Sequence, residues 1–230
     1  LYDTLPASAT SSVNAHIMKR YTSAGTAGQL SSGWNHVVVV YRPSSDQVDF
    51  YINYAGSSAT KSSITSPDIT RQNAPNSTNY VSMIQTNTSL TVGARAIGSS
   101  SYQSFLSTHL RNLVIWTRGT ALTDAQVTSL RNGGNVWEIK QHETYDAMLA
   151  YYKLDSGTLT DITGTTSVTK IGTSVRSANT TPVLNAVQEE DRSFTIAFWY
   201  KKDSTSSTGR ILGKWGTQNS TREYKIEQNS

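Results

Sequence analysis

Breaking a glycosidic bond takes two carboxylates facing one cleft, about 5 to 10 Å apart. On a strand such a pair shows as acids in close alternation, and this chain has no such run. Glu189-Glu190-Asp191 is contiguous, so its side chains point to alternating faces, and Arg192 follows directly. That cluster reads as a turn ahead of a strand. The four histidines, His16, His36, His109 and His142, lack His-x-His or His-x-x-x-His metal spacing. His36 stands beside Trp34 at the start of a β-branched run and reads as a packed structural histidine. No G-x-S-x-G elbow, phosphate loop or dinucleotide fingerprint occurs. With no cysteine there is no thiol nucleophile, disulfide framework or Cys-type zinc site. The expectation is a protein that binds or builds rather than an enzyme, with no catalytic residue assigned.

Ring faces stack on sugar C–H groups, and a Tyr adds a hydroxyl. Tyr51, Tyr54, Tyr102 and Trp215 are therefore the candidate ligand-binding residues, taken as exposed aromatics. The net charge of +4 and pI near 9.2 are mildly basic. The basic residues are scattered, as Lys19-Arg20, Lys201-Lys202, Arg210 and Lys214. No arginine-rich stripe accompanies them, so nucleic acid is not an expected partner. Charged residues make up 16% of the chain, below the roughly 25% of ordinary soluble domains. Ser, Thr, Asn and Gly take their place, a composition suited to strands and turns. Sequons at Asn76, Asn87, Asn179 and Asn219 permit glycosylation without requiring it. No apolar run approaches the roughly 18 residues of a membrane span. No signal peptide is visible, and the start at Leu1 reads as a processed product or an excerpt.

The elements that must position these residues are strands. Val48, Phe50 and Ile52 alternate with Asp49, Tyr51 and Asn53, which turns one apolar face inward. Phe194, Ile196, Phe198 and Tyr200 alternate in the same way with Thr195, Ala197, Trp199 and Lys201. His36 to Tyr41 reads as a buried strand, and residues 43–47 as a hairpin loop. Further strands are expected at 89–93, 110–117, 149–154, 183–187, 210–214 and 222–227. Residues 57–89 read as long polar loops around a short strand or two. One helix is expected at 123–131. Thr123 and Gln126 form a capping box, Val127 and Leu130 share a face, and Gly133-Gly134 stops it. Two turns do not stand alone, so that face must dock on a sheet. The fold class is all-β, an antiparallel two-sheet jelly-roll sandwich with this one short helix.

Three segments resemble the laminin G-like, concanavalin A-like jelly-roll superfamily. Ser32-Gly33-Trp34-Asn35-His36-Val37 through Tyr41, with Val48 to Asn53, resembles the family's central hairpin. Leu90 to Gly93, Leu110 to Trp116 and Gly119 to Gly134 resemble its closing strands, turn and short helix. Leu149 to Asp155 and Ser193 to Tyr200 resemble its opening strands, which in the family come first. The halves are therefore inverted: 1–137 is a back half, 138–147 a polar linker and 148–230 a front half. Three arrangements follow: a single permuted module, an out-of-phase piece of a tandem array, or completion between subunits by strand exchange. The resemblance also implies a rim calcium, with Asp155 and Asp161 as its ligands. It implies an extracellular, cell-surface or virion-surface module. That module would act in self-assembly, adhesion or recognition, with other copies, adjacent modules or glycans as partners and no membrane insertion. A glycan-binding lectin-like domain attached to a carbohydrate-active enzyme is the alternative.

Overall fold

A computed structural model describes residues 2–4, 16–23, 30–72, 90–93, 95–96, 102–103, 108–116, 119–134, 139, 142–154, 162–163, 167–171, 174–178, 193–202, 209–215 and 222–228. In chain order the strands are Tyr2–Thr4 (β1), His16–Arg20 (β2), Trp34–Arg42 (β3), Gln47–Ile52 (β4), Lys61–Ile64 (β5), Asp68–Gln72 (β6), Leu90–Val92 (β7) and Arg95–Ala96 (β8). They continue as Tyr102–Gln103 (β9), Thr108–Trp116 (β10), Met148–Tyr152 (β11), Ser167–Ile171 (β12), Ser174–Ala178 (β13), Phe194–Lys202 (β14), Gly209–Trp215 (β15) and Arg222–Gln228 (β16). The α-helix, α1, spans Asp124–Arg131.

The fold is an antiparallel all-β sandwich. A six-stranded sheet runs β11-β10-β14-β3-β4-β5 and a five-stranded sheet runs β12-β13-β7-β15-β16. A smaller sheet, β1-β2-β6, and the β8-β9 pair complete the described strands. Strands from the two ends of the sequence alternate inside both large sheets. β14 lies between β10 and β3, and β15 lies against β7. Where the two sheets face each other, Val37, Val39, Tyr41, Leu113, Ile115, Phe194, Ile196, Phe198 and Tyr200 meet Leu90, Val92, Ile211, Leu212 and Tyr224. A bulge in β15 lets the consecutive Ile211 and Leu212 both enter this core. Gly213 sits where β16 comes closest: a Cβ there would lie 2.9 Å from the Tyr224 carbonyl oxygen.

The expected alternation holds in β4 and β14, and the hairpin turn falls at Pro43–Ser45 with Asp46 in the left-handed region. The stretch 57–89 holds β5 and β6 within its described part. The candidate strand 183–187, the four sequons and the acid cluster at 189–191 lie outside the described residues.

The helix forms as its sequence dictates. Gln126 N–H donates to Thr123 Oγ1 and Thr123 N–H donates to Gln126 Oε1, the two bonds of a capping box. Asn132 closes it in the left-handed region, followed by Gly133 and Gly134 at positive φ. Val127 and Leu130 dock on the outer face of the six-stranded sheet. There they join Val38, Val40, Tyr51, Tyr54, Val114, Trp116, Met148 and Tyr151 in a second core.

Of the segment 138–147, read as a polar linker, residues 139 and 142–147 are described. Ile139 and His142 are buried. His142 Nε2 donates to the Gln126 carbonyl, while its Nδ1 accepts from the Thr144 N–H. Trp116 Nε1 donates to Thr144 Oγ1. Polar side chains here bond inward to the helix and to β10, which a count of polar residues does not distinguish from a solvated linker.

Candidate functional site

The side chains with chemical potential gather on the outer face of the six-stranded sheet, in two groups at opposite ends of α1. At the helix N-terminus, β4 presents Asp49 and Tyr51 to the same side because strand side chains alternate. Asp49 is buried, its side chain 1% exposed. A buried carboxylate must be paired and hydrogen-bonded. Arg42 Nε lies 3.1 Å from its Oδ2, and Gln47 and Ser63 both donate to its Oδ1. The Arg42 guanidinium also donates to the Leu122 carbonyl, tying the sheet to the turn ahead of the helix.

Asp124, the first helical residue, is held by three donors. They are the Tyr51 hydroxyl at 2.7 Å, the Tyr54 hydroxyl at 3.1 Å and Lys61 Nζ at 2.8 Å. The two tyrosine rings meet edge to face, 5.0 Å apart, and Lys61 Nζ lies 5.0 Å from the Tyr51 ring centre. Burial alone would raise the Asp124 carboxyl pKa, but the bonds from Lys61 and Tyr51 outweigh it and hold the group below its usual range. Burial, then the bond to Asp124 and the nearby charge of Asp49, push the Tyr51 hydroxyl far above its usual pKa.

Two carboxylates thus flank one hydroxyl, with the Tyr51 oxygen 2.7 Å from Asp124 and 3.5 Å from Asp49. Acid catalysis would need one of them protonated near neutrality. The geometry works the other way: each carboxylate is paired with a cation, and Asp124 is held ionised. The group clasps the helix N-terminus to β4 and β5, and the anion at the positive end of the helix dipole adds to the hold.

At the opposite end, β10, β14 and β3 present a grid of six side chains on the same face. One cross-strand row is His109, Lys201 and Trp34, and the next is Arg111, Trp199 and His36. Leu110, Tyr200 and Asn35 form the intervening row, with Leu110 and Tyr200 turned into the sandwich core. Arg111 lies over the Trp34 ring, 5.1 Å from its centre. His109 is tilted against the same ring at 6.2 Å, and His36 packs on Trp199 at 5.1 Å. His36 is buried, and desolvation together with the Arg131 charge lowers its pKa to about 3. It is a neutral packed histidine at ordinary pH, as its place beside Trp34 suggests. Arg111 and His109 are exposed, and Trp34 and Lys201 half-buried.

The sequence-derived candidates do not converge. Tyr51 and Tyr54, taken as exposed sugar-stacking rings, are 0% and 5% exposed and lie beneath the helix. Their rings cannot serve as a platform; their hydroxyls serve the clasp instead. Tyr102 lies on β9, in the two-stranded pair, and Trp215 on β15, in the other large sheet. Asp155 and Asp161 lie outside the described residues. Among the described residues no cluster of three or more His, Asp or Glu side chains could hold a metal ion. Sequence reading passed over the grid because its members lie on three distant strands. The signal was present in the alternation of Trp34 with His36, His109 with Arg111, and Trp199 with Lys201.

Comparison with protein-family models, with curated proteins and with solved structures returned no match to this chain. Among the described residues no helix is long and apolar enough to cross a membrane.

Proposed function

We propose that the chain is a non-catalytic β-sandwich module of a surface or filament protein, acting in self-assembly, adhesion or recognition. The carrying observation is the interleaving of distant strands. Residues 1–137 supply β3, β4, β7 and β10, residues 148–230 supply β11, β14, β15 and β16, and each set fills gaps in the other. A half sandwich leaves an apolar face and unpaired edges that demand a partner. The same surfaces that complete the sandwich within one chain can complete it between copies. The resemblance to laminin G-like modules supports this reading, with the front half placed after the back half. The clasped, charge-paired carboxylates support a binding rather than a catalytic role.

The test uses size-exclusion chromatography with light scattering on the whole chain and on fragments 1–140 and 141–230, apart and mixed. Removing the second fragment strips β10 and β3 of the strand between them. Each fragment alone is expected to lack a cooperative unfolding transition, and the mixture is expected to regain one. A soluble, folded monomer from 1–140 would overturn the interdependence of the halves. A whole chain that neither associates with concentration nor accepts a fragment in trans would overturn the assembly role.

A further inference from the structure

We propose that β6 is a docking edge for a second copy of this chain, the two β6 strands pairing antiparallel about a two-fold axis at Ile69. The inference deepens the self-assembly role proposed above and rests on that reading, but it joins sandwiches that are already complete.

Exposure is the first argument. β6 is the outer strand of the small sheet, with β2 on one side and no strand on the other among the described residues. Asp68, Ile69 and Thr70 are all exposed. Successive strand residues point to opposite faces, so neither face of this edge is covered. Among the described residues Ile69 is the one large hydrophobic side chain left exposed, at 43%. An apolar side chain on an open strand edge is a template for another strand.

The usual guards of such an edge are missing. Pro67 precedes the strand and does not interrupt it. The pairing with β2 runs from Gln72 opposite His16 to Asp68 opposite Arg20 without a bulge. The Asp68 charge is offset by Arg20, 2.9 Å away. Other edges are better protected. On β11 the Tyr151 carbonyl accepts from the Ile162 N–H, and β16 carries the charged Lys225 and Glu227 and lies alongside β1.

The occupant follows from the exposed triplet, which is complementary to itself. In the register centred on Ile69, that residue meets the other copy's Ile69, and Asp68 stands opposite the other copy's Thr70. Arg20 takes Asp68 Oδ2. Asp68 Oδ1 and the Thr70 hydroxyl have no partner among the described residues. Across the axis each Thr70 hydroxyl donates to the facing Asp68 Oδ1, twice by symmetry. Arg71 stands opposite Pro67, so no like charges lie directly opposite one another. The pairing uses up the edge and closes as a dimer. It covers less than the roughly 1,200 Å² of a stable interface, so the association is weak and reversible.

The test is analytical ultracentrifugation of the full chain over a range of concentrations. Wild type is expected to shift from monomer toward dimer as concentration rises. Ile69→Lys and Ile69→Asp should each self-associate about tenfold more weakly, because like charges then face each other at the axis. An equimolar mixture of the two variants should regain the dimer, since opposite charges then meet. Circular dichroism confirms that each variant is folded. Wild type that stays monomeric, or variants that associate as wild type does, would overturn the docking edge. A mixture that stays monomeric would overturn the two-fold pairing and mark the edge as one for a strand of another protein. The chain has no cysteine, so Ile69→Cys tests the register directly. It should cross-link to a dimer when oxidised with diamide, and Ser129→Cys, exposed on α1, should not. Equal cross-linking of both would overturn the register. Fragment mixing keeps the two readings apart. Recombination of 1–140 carrying Ile69→Lys with 141–230, while the intact variant loses its dimer, supports the edge. Failure of the wild-type fragments to recombine, with Ile69-dependent dimers retained, strikes only the interdependence of the halves.

Discussion

On its inner face the six-stranded sheet meets another sheet through apolar side chains. On its outer face it meets one short helix and a polar crossover. Inside, Phe198, Ile196 and Val39 need only shape and burial. Outside, Asp49, Thr195, Asn112 and His36 are just as buried, yet each carries polar atoms. Thr195 meets its needs by donating to the Thr120 carbonyl and accepting from the Leu122 N–H. Asp49 is met by Arg42, Gln47 and Ser63. The inner face is tolerant of which apolar group fills it. The outer face specifies where one helix and one turn must sit, because a shifted register would strand buried charge.

The largest expected effect tests the inner face. Phe198→Ala should cost about 4 kcal/mol in a urea or thermal melt, as a fully buried ring replaced by a cavity does. A loss below about 1 kcal/mol would mean that the core has collapsed around the gap.

The next effect belongs to the outer face alone. His36 has its pKa lowered from 6.5 to about 3 in the fold. The unfolded chain therefore binds a proton in a range where the folded chain does not, and stability falls as pH falls below 6.5. The expected loss is on the order of 3 kcal/mol between about pH 6.5 and about pH 4.5. His36→Phe should flatten that slope. Asp124 and Glu227, held below their usual range, add their own losses at lower pH, where they protonate. An unchanged slope in His36→Phe would place the titration elsewhere.

Removing Arg42 leaves Asp49 buried without its cation. Arg42→Ala should destabilise by about 2 kcal/mol, and Arg42→Ala/Asp49→Ala by less than the two single losses combined. Strict additivity in that cycle would show the pair uncoupled. The smallest effect is at the helix cap, where Thr123→Ala should cost about 1 kcal/mol. Its partner test is Asp124→Asn, which keeps the helix but weakens the bond from Lys61 and raises the exposure of α1 to hydrogen exchange.

Much of the fold was legible. The alternation in 48–53 and 194–201 and the capping box at Thr123 are local patterns, and each forms at its expected place. The outer face was less legible. Tyr51 read as exposed because alternation assigns it to the side away from the sandwich core, and it does so correctly; Tyr54 lies beyond β4, brought to the same side after Asn53 in the left-handed region. What alternation cannot say is whether something lies on that side. The helix did announce that its apolar face needed a sheet, and joining that demand to the tyrosines would have buried them. The inward bonds of His142 and Thr144 were hidden for the same reason, since a polar segment bonded to a helix and one bonded to water have the same composition. The grid required knowing that β14 enters between β10 and β3, which pairs residues more than eighty apart.

β1 lies alongside β16, so a load applied across residues 2–4 and 222–228 enters at one corner of the molecule. β16 is an edge strand held by β15 alone among the large-sheet strands, and such a load peels it bond by bond at low force. β14, flanked on both sides, would resist by shearing its two ladders together. Mechanical strength in this sandwich therefore depends on where it is gripped: weak when pulled from that corner, strong when tension runs along β14.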